Sequence, residues 1–364
     1  MALEPAGRSP QGARLHRAAR IEDALDAAVG RRLLRRGWQR AIVPYTGYGG
    51  TGWARVMARV VLAPKDRKTR RRPEKLRGWR SFATLPVPFA PVVVTAGGVT
   101  AGGVTAGGVA GGGKRQEVVA DRGGYVDCRV DADLAPGWAT VRLESEGAEP
   151  VEAPVRVVDP AVQVGLISDI DDTVMVTALP RPFLAAWNTF VLDEHARMAV
   201  PGMAVLYERL TNAYPGAPAF YLSTGAWNVA STLNRFLSRH LYPPGPLLLT
   251  DWGPTAEGWF RSGRQHKKAT LARLATEFPD VRWLLVGDDG QHDPEIYGEF
   301  AATHPANVAA VAIRQLSPTQ SVLAGSLPGQ SDEAARAAAA LGNRWMSAPD
   351  GAGLWTLLRA AGVL

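Results

Sequence analysis

Cysteine is almost missing from this chain: Cys128 is the single one in 364 residues, so no internal disulfide can form. Thiol-ligated zinc is excluded with it, and His292 and His304 stand in no zinc-binding spacing. Cys128 reads instead as a small, half-buried apolar residue of a strand, at home in a reducing cytoplasm. Long apolar runs are also lacking, since none approaches the roughly 18 residues of a spanning helix. The first residues carry charge but no apolar signal core. The expectation is a cytoplasmic protein that meets membrane only peripherally, at the inner face. Aromatic residues are missing from the run Lys65 to Arg72, where six of eight residues are basic. A stacking platform for single-stranded nucleic acid is therefore not expected there.

What is present divides unevenly. Residues 1–158 hold 26 Lys and Arg against 15 Asp and Glu, whereas residues 159–364 hold 15 against 19. The net charge of +7 thus belongs to the front of the chain. Residues 9–36 carry Leu15, Ala18, Leu25, Val29 and Leu33 at near-helical spacing among arginines, as a solvated packing helix or a membrane-surface helix would. Strand-like pieces follow at Arg40–Tyr45 and Trp53–Leu62, around a glycine-rich turn. Residues 79–158 then read as short strands separated by turn signals, at Ser81–Leu85, Val92–Val94, Glu117–Val119, Gly124–Val130, Ala139–Leu143 and Val155–Val158. A five-residue Val-Thr-Ala-Gly-Gly repeat, from Val94 to Gly113, is too glycine-rich to bury a core and reads as a hairpin insertion.

Chemistry concentrates after residue 160. The stretch Val164-Gly-Leu-Ile-Ser168 is apolar without alternation, as a strand covered on both faces by a parallel sheet is. It runs into Asp169, Asp171, Asp172 and Thr173, where open α/β sheets place their ligands. Carboxylates this close repel each other, and a hard divalent cation such as Mg²⁺ would relieve them. The spacing suggests Asp169 as a nucleophile that also touches the metal. Asp171 is expected to touch the same metal and to be the acid and then the base, and Thr173 to hold the turn at the substrate site. Ala219 to Leu222 is a second buried strand, ending in Ser223, Thr224 and Gly225, which can offer a hydroxyl and amides to phosphate oxygens. Pro246 to Thr250 is a third. His266-Lys267-Lys268 opens a helix on which Lys267 shares the inward face of Leu271 and Leu274, while Lys268 faces solvent. A fourth strand, from Val281, ends in Gly287-Asp288-Asp289, with Asp293 beyond a short turn. Asp288 is expected to make the main metal contact, with Asp289 and Asp293 sharing metal binding and the ordering of Lys267. Between the first two strands, Phe183 to Arg197 reads as a helix with an apolar stripe of Phe183, Trp187 and Phe190. Val308 to Arg314 reads as the last strand, followed by helices.

Asp169-x-Asp171-x-Thr173, Ser223, Lys267 and Asp288-Asp289 resemble, in order, the phosphatase branch of the haloacid dehalogenase superfamily. The longer strings from Ser168, through Ala226-Trp227 and His266-Lys267, to Gly287-Asp-Asp-Gly-Gln-His-Asp-Pro-Glu-Ile-Tyr297 resemble the catalytic domain of the actin-patch-protein phosphatidate phosphatase family. The resemblance spans about residues 160–320. It implies a Mg²⁺-dependent enzyme that removes phosphate from phosphatidate, or a similar lipid phosphate, to give diacylglycerol. The expected fold class is α/β: a haloacid dehalogenase-like, Rossmannoid three-layer domain at residues 159–330. A basic helix (1–40) and a smaller β-sandwich-like domain (41–158) would precede it, and C-terminal helices (331–364) would pack on it. An anionic membrane surface is the expected partner, and nucleic acid is not. A soluble phosphomonoester or phosphoprotein is the alternative substrate. A catalytically inactive membrane- or nucleic-acid-binding adaptor is the alternative of another class.

Overall fold

A computed structural model describes residues 29–64, 84–100, 113–176, 198–250, 263–290, 292–324 and 332–364. Most of the basic helix expected at 9–36 lies outside them, and residues 29–35 are helical. The basic run at 65–72, the core of the glycine repeat, the apolar stripe of 183–197 and the first three residues of Ser81–Leu85 also lie outside the described residues.

The front of the chain alternates inward apolar and outward polar residues, and β9 (Val151–Val157) shows it plainly, with Val151, Ala153, Val155 and Val157 buried. This pattern builds one nine-stranded sheet. Its other strands are β1 (Trp38–Pro44), β2 (Gly47–Gly50), β3 (Trp53–Pro64), β4 (Leu85–Pro86), β5 (Pro91–Thr100), β6 (Lys114–Val119), β7 (Tyr125–Asp131) and β8 (Gly137–Glu144). They run in the order β1-β3-β2-β9-β8-β5-β6, with β4 and β7 also on β3. The sheet curls until its edges meet, where the Gln116 amide on β6 donates to the Asp131 carbonyl on β7 at 2.8 Å. The glycine-rich segment read as a turn is in fact strand β2, paired with both β3 and β9. Glycine serves close approach there: a Cβ at Gly47 would stand 2.4 Å from the Arg55 carbonyl oxygen.

The rest of the chain is a six-stranded parallel sheet with helical connections. In chain order it comprises β10 (Val164–Ser168), the small antiparallel pair β11 (Met175–Val176) and β12 (Met198–Ala199), then α1 (Met203–Ala213) and β13 (Ala219–Ala226). There follow α2 (Ala230–Arg239), β14 (Leu247–Thr250), α3 (Gly263–Glu277), β15 (Arg282–Asp288), α4 (Asp293–Thr303) and β16 (Val308–Arg314). The chain ends with α5 (Pro318–Ala324), α6 (Asp332–Leu341), β17 (Trp345–Ala348) and α7 (Gly351–Ala360). The order is β14-β13-β10-β15-β16-β17. Val308–Arg314 is therefore not the last strand: β17 adds to the sheet beside it, so the C-terminal stretch is not helical throughout.

From β10 the chain fills one side of the sheet and then crosses to the other. The carboxyl ends of β10, β13 and β15 consequently lie side by side at the reversal point, the usual ligand crevice of such sheets. One apolar cluster fills the curled sheet, and another surrounds the parallel one and takes in Tyr48, Trp53 and Met57 from the first. Among the described residues, no helix is long and apolar enough to cross a membrane.

Candidate active site

Five residues before Thr173 set the first wall of the site. β10 is wholly buried, and its exit is pinned when the Asp169 amide donates to the Val286 carbonyl at 2.8 Å. Ser168 is bound to the Tyr207 hydroxyl on α1 at 2.6 Å and also donates to the Asp169 carbonyl. The chain then turns sharply, with Asp172 in the left-handed region at φ 56° and backbone bonds from Val174 and Met175 back to Ile170. Asp169, Asp171, Asp172 and Thr173 are all buried by this turn.

Each neighbouring element adds one or two groups. From β13, the Ser223 hydroxyl donates to Asp171 Oδ2 at 3.1 Å and accepts from the Gly225 amide at 3.0 Å. The Thr224 carbonyl is held by the Thr250 hydroxyl at 2.9 Å. From α3, Lys267 Nζ donates to Asp169 Oδ1 at 2.6 Å and to Asp293 Oδ1 at 2.5 Å, with only 2% of the residue exposed. Lys268, one step round the helix, reaches outward to Glu299. From β15, Asp288 Oδ1 accepts from the Gly290 amide at 2.7 Å. The missing side chain of Gly287 makes room for Asp293. A Cβ there would sit 2.5 Å from Asp293 Oδ2 and 2.8 Å from the Tyr297 ring.

Asp169, Asp288 and Asp293 each present one oxygen to the others within 4.8 Å. Asp169 Oδ2, Asp288 Oδ2 and Asp293 Oδ2 are buried with no hydrogen-bond partner among the described residues, as are Asp171 Oδ1 and the Thr173 hydroxyl. Orphaned carboxylate oxygens in a dry site are costly, and a small hard cation is the group their chemistry fits. Asp289 stands apart from this group: it is exposed, and its carboxylate accepts from the Leu316 amide at 2.8 Å. Asp171 is also outside the three-oxygen group and faces Ser223.

Charge here is strongly perturbed. Burial pushes the Asp169 carboxyl well above the usual carboxylate range, against the pull of Lys267. Burial also lifts Asp288, and Asp293 and Asp169 add to it. Asp171 rises to about 7, by burial first and then the nearby Asp172. Burial alone would discharge Lys267, but Asp169 and Asp293 outweigh it and hold the ammonium charged. The arrangement sets a buried carboxylate, a carboxyl that carries a proton near neutrality and a locked cation around one small volume.

Residues 164–315 match the family model described as phosphatidate phosphatase APP1, catalytic domain. This segment is similar to that family's catalytic domain. Phosphatidate phosphatase APP1 of Saccharomyces cerevisiae is 27% identical over 207 residues, covering 55% of this chain and 35% of that protein. An uncharacterized Schizosaccharomyces pombe protein is 25% identical over 154 residues, 42% of this chain and 25% of its own length. The chain thus spans only 25–35% of these curated relatives. Solved structures align too weakly to carry an argument; a glycosyl hydrolase family 2 member from Bacteroides cellulosilyticus has TM-score 0.23 and 12% identity, over 83% of this chain and 37% of that one. The matched segment runs from the first residue of β10 to just past β16, so it takes in every side chain described above.

Two participants escape a motif-based reading. Tyr207 sits on a helix with no signature of its own. Arg314 ends β16 and is 5% exposed. Its signal is faint but physical: six apolar residues, Val308 to Ile313, followed by one cation at the carboxyl end of a strand.

Proposed function

We propose that this protein is a Mg²⁺-dependent phosphatidate phosphatase, hydrolysing a lipid phosphate monoester to diacylglycerol and phosphate. The reading rests on the buried oxygens of Asp169, Asp288 and Asp293 that have no hydrogen-bond partner among the described residues, beside Lys267, within a segment similar to the APP1 catalytic domain. The parallel sheet is read as a haloacid dehalogenase-like domain that starts at residue 159 and, because β17 joins the sheet, runs past the expected boundary at 330. The curled sheet would be a separate sandwich-like domain that begins with β1 at Trp38, earlier than the expected boundary at 41, preceded by a basic helix that ends at Arg35. Arg31, Arg32, Arg35 and Arg36 are exposed, as are Val29 and Leu34 at 45% and 44%, which suits a peripheral contact with anionic lipid at the inner membrane face.

Asp169, Asp288 and Asp293 would hold the ion, with Asp289 ordering the loop behind them. When bound, Mg²⁺ neutralises the carboxylates and draws charge from the phosphoryl oxygens. Asp169 attacks phosphorus and forms an aspartyl-phosphate, while Asp171 gives its proton to the departing glycerol oxygen. Asp171 then takes a proton from water; the resulting hydroxide attacks phosphorus, and the bond to Asp169 breaks. Lys267 balances charge on the transferring group, and Ser223, Thr224 and Thr173 line its other side.

The test is phosphate release from phosphatidate in detergent micelles with Mg²⁺, run beside a panel of soluble esters. Phosphatidate is expected to have the highest kcat/KM, and Asp169→Asn to abolish turnover while binding to anionic liposomes persists. Hydrolysis of soluble esters with none of phosphatidate would remove the lipid assignment. No turnover of any ester would leave an adaptor.

A further inference from the structure

Arg314 carries a charge into the interior at the sheet edge where the carboxylates gather, and the reaction outlined above leaves it without a task. Its guanidinium Nη1 donates to the main-chain carbonyl of Asp172 at 2.6 Å. Its Nη2 donates to the Gln320 side-chain oxygen at 3.0 Å, and that oxygen also receives the Ser317 amide at 3.1 Å. Gln320 therefore fixes the guanidinium from behind. The Arg314 backbone is no less engaged. It pairs in register with Asp288, and its carbonyl accepts from the Asp289 amide at 3.0 Å.

The carbonyl that Arg314 grips belongs to a residue in an unfavourable backbone state. Asp172 has φ 56°, where a side chain is disfavoured, and it is buried inside a turn closed by its own amide on the Met175 carbonyl at 2.8 Å. The same turn sets the direction in which Asp171 leaves the strand towards Ser223. A buried hydrogen bond from a charged donor is among the stronger contacts available to a main-chain carbonyl. One side chain thus ties the loop carrying the acid–base carboxyl to the loop carrying Asp288.

We propose that Arg314 is a positioning residue for the reaction. By holding the Asp172 carbonyl, it maintains the left-handed turn that aims Asp171 at the leaving group and keeps the β10 and β15 loops in fixed relation. This rests on the phosphatase reading above for its catalytic consequence, but not for its structural one.

The experiment compares Arg314→Met, Arg314→Lys and Gln320→Leu with the parent by crystallography and by phosphate release from phosphatidate micelles. In Arg314→Met, Asp172 is expected to leave the left-handed region and the Ser223–Asp171 hydrogen bond to be lost. The kcat should fall about 10²-fold with KM unchanged, the loss that ångström-scale misplacement produces. Arg314→Lys should restore part of it, because an ammonium can donate to the Asp172 carbonyl but cannot also span to Gln320. Gln320→Leu should fall between the parent and Arg314→Met. If Arg314→Met does not fold, the lysine and Gln320 variants carry the same comparison. An unchanged turn in the variant crystals overturns the proposal, whatever the substrate. A raised KM with intact kcat would overturn it too, by making Arg314 a substrate contact. A parent that hydrolyses no phosphatidate would cancel the substrate assignment and leave the crystallographic result to decide on Arg314.

Discussion

Lys267 is the residue on which the carboxylate cluster is balanced. With the ammonium gone, Asp169 Oδ1 and Asp293 Oδ1 would lose their only described cation within bonding distance in a nearly dry volume. Lys267→Met preserves the length of the side chain and removes the charge. Removing one partner from a buried ion pair costs about 3–5 kcal/mol, so the chelated variant should unfold at markedly lower urea. Mg²⁺ should restore part of that loss, since it brings positive charge to the same oxygens. Asp171 makes a prediction of opposite sense. Its carboxyl is lifted to about 7, far above the roughly 3.9 of an unfolded chain, so the folded state binds the proton more tightly. The stability tied to that proton is complete below about pH 4 and is lost as pH rises towards 7. At most it falls by about 1.4 kcal/mol per pH unit for each such group. Urea titrations in EDTA at pH 4.5, 5.5 and 6.5 should therefore show a shallower decline for Asp171→Asn than for the parent. Equal slopes would mean that Asp171 is not lifted. At this scale Asp169, Asp171, Lys267, Asp288 and Asp293 were all legible, because each follows a hydrophobic run or sits on the apolar face of a helix. Arg314 and Tyr207 were not, because their partners are a main-chain carbonyl and a serine that no local spacing reveals.

At the scale of elements, the buried parallel strands were the clearest part of the chain to read. β10, β13, β15 and β16 are unbroken apolar runs that end in acids, hydroxyls or a cation, and no other element of an α/β domain has that form. In the two large sheets, two strands escaped for different reasons. β2 is Gly-Tyr-Gly-Gly, whose composition speaks for a turn while its pairing depends on the absence of side chains. β17 is four residues between two helices, too short for any periodicity to register. The junction of β15 with α4 gives a sharp test of element packing. Gly287 is in the sheet, and Asp293 and Tyr297 of α4 lie against its bare Cα. Gly287→Ala forces the first turn of α4 away, and overpacking of this kind costs about 1–3 kcal/mol. Because Asp293 moves with that turn, phosphate release should fall by more than the stability loss explains at temperatures where the variant stays folded. A variant with parental turnover would show that Asp293 does not need its present place.

For the whole molecule, the decisive feature is that the two sheets are not joined by a linker alone. Tyr48, from the middle of the curled sheet, is fully buried; its ring meets Phe220 of the parallel sheet edge-on at 5.1 Å, and Phe278 at 6.0 Å. Its hydroxyl donates to Glu277 Oε2 at 2.7 Å, and Arg55 donates to Oε1 of the same carboxylate at 2.9 Å. Arg55 and Arg273 both reach Asp127, which closes a small ionic network around the contact. Glu277 is the last residue of α3, the helix whose opening turns deliver Lys267 to the cluster. The stability of the parallel sheet should therefore depend on a residue more than 100 positions before it. Tyr48→Ala removes a large buried ring and should cost about 3–5 kcal/mol. If the sheets form one cooperative unit, that loss must appear in hydrogen exchange at the β10 and β15 amides, far from the substitution, by the same amount as at β3 and β9. Tyr48→Phe, which deletes only the hydroxyl, should cost about 1.5–3 kcal/mol, the range for a hydrogen bond to a charged group. Protection lost in the curled sheet alone, with β10 and β15 exchanging as in the parent, would instead show two units that fold independently and merely touch.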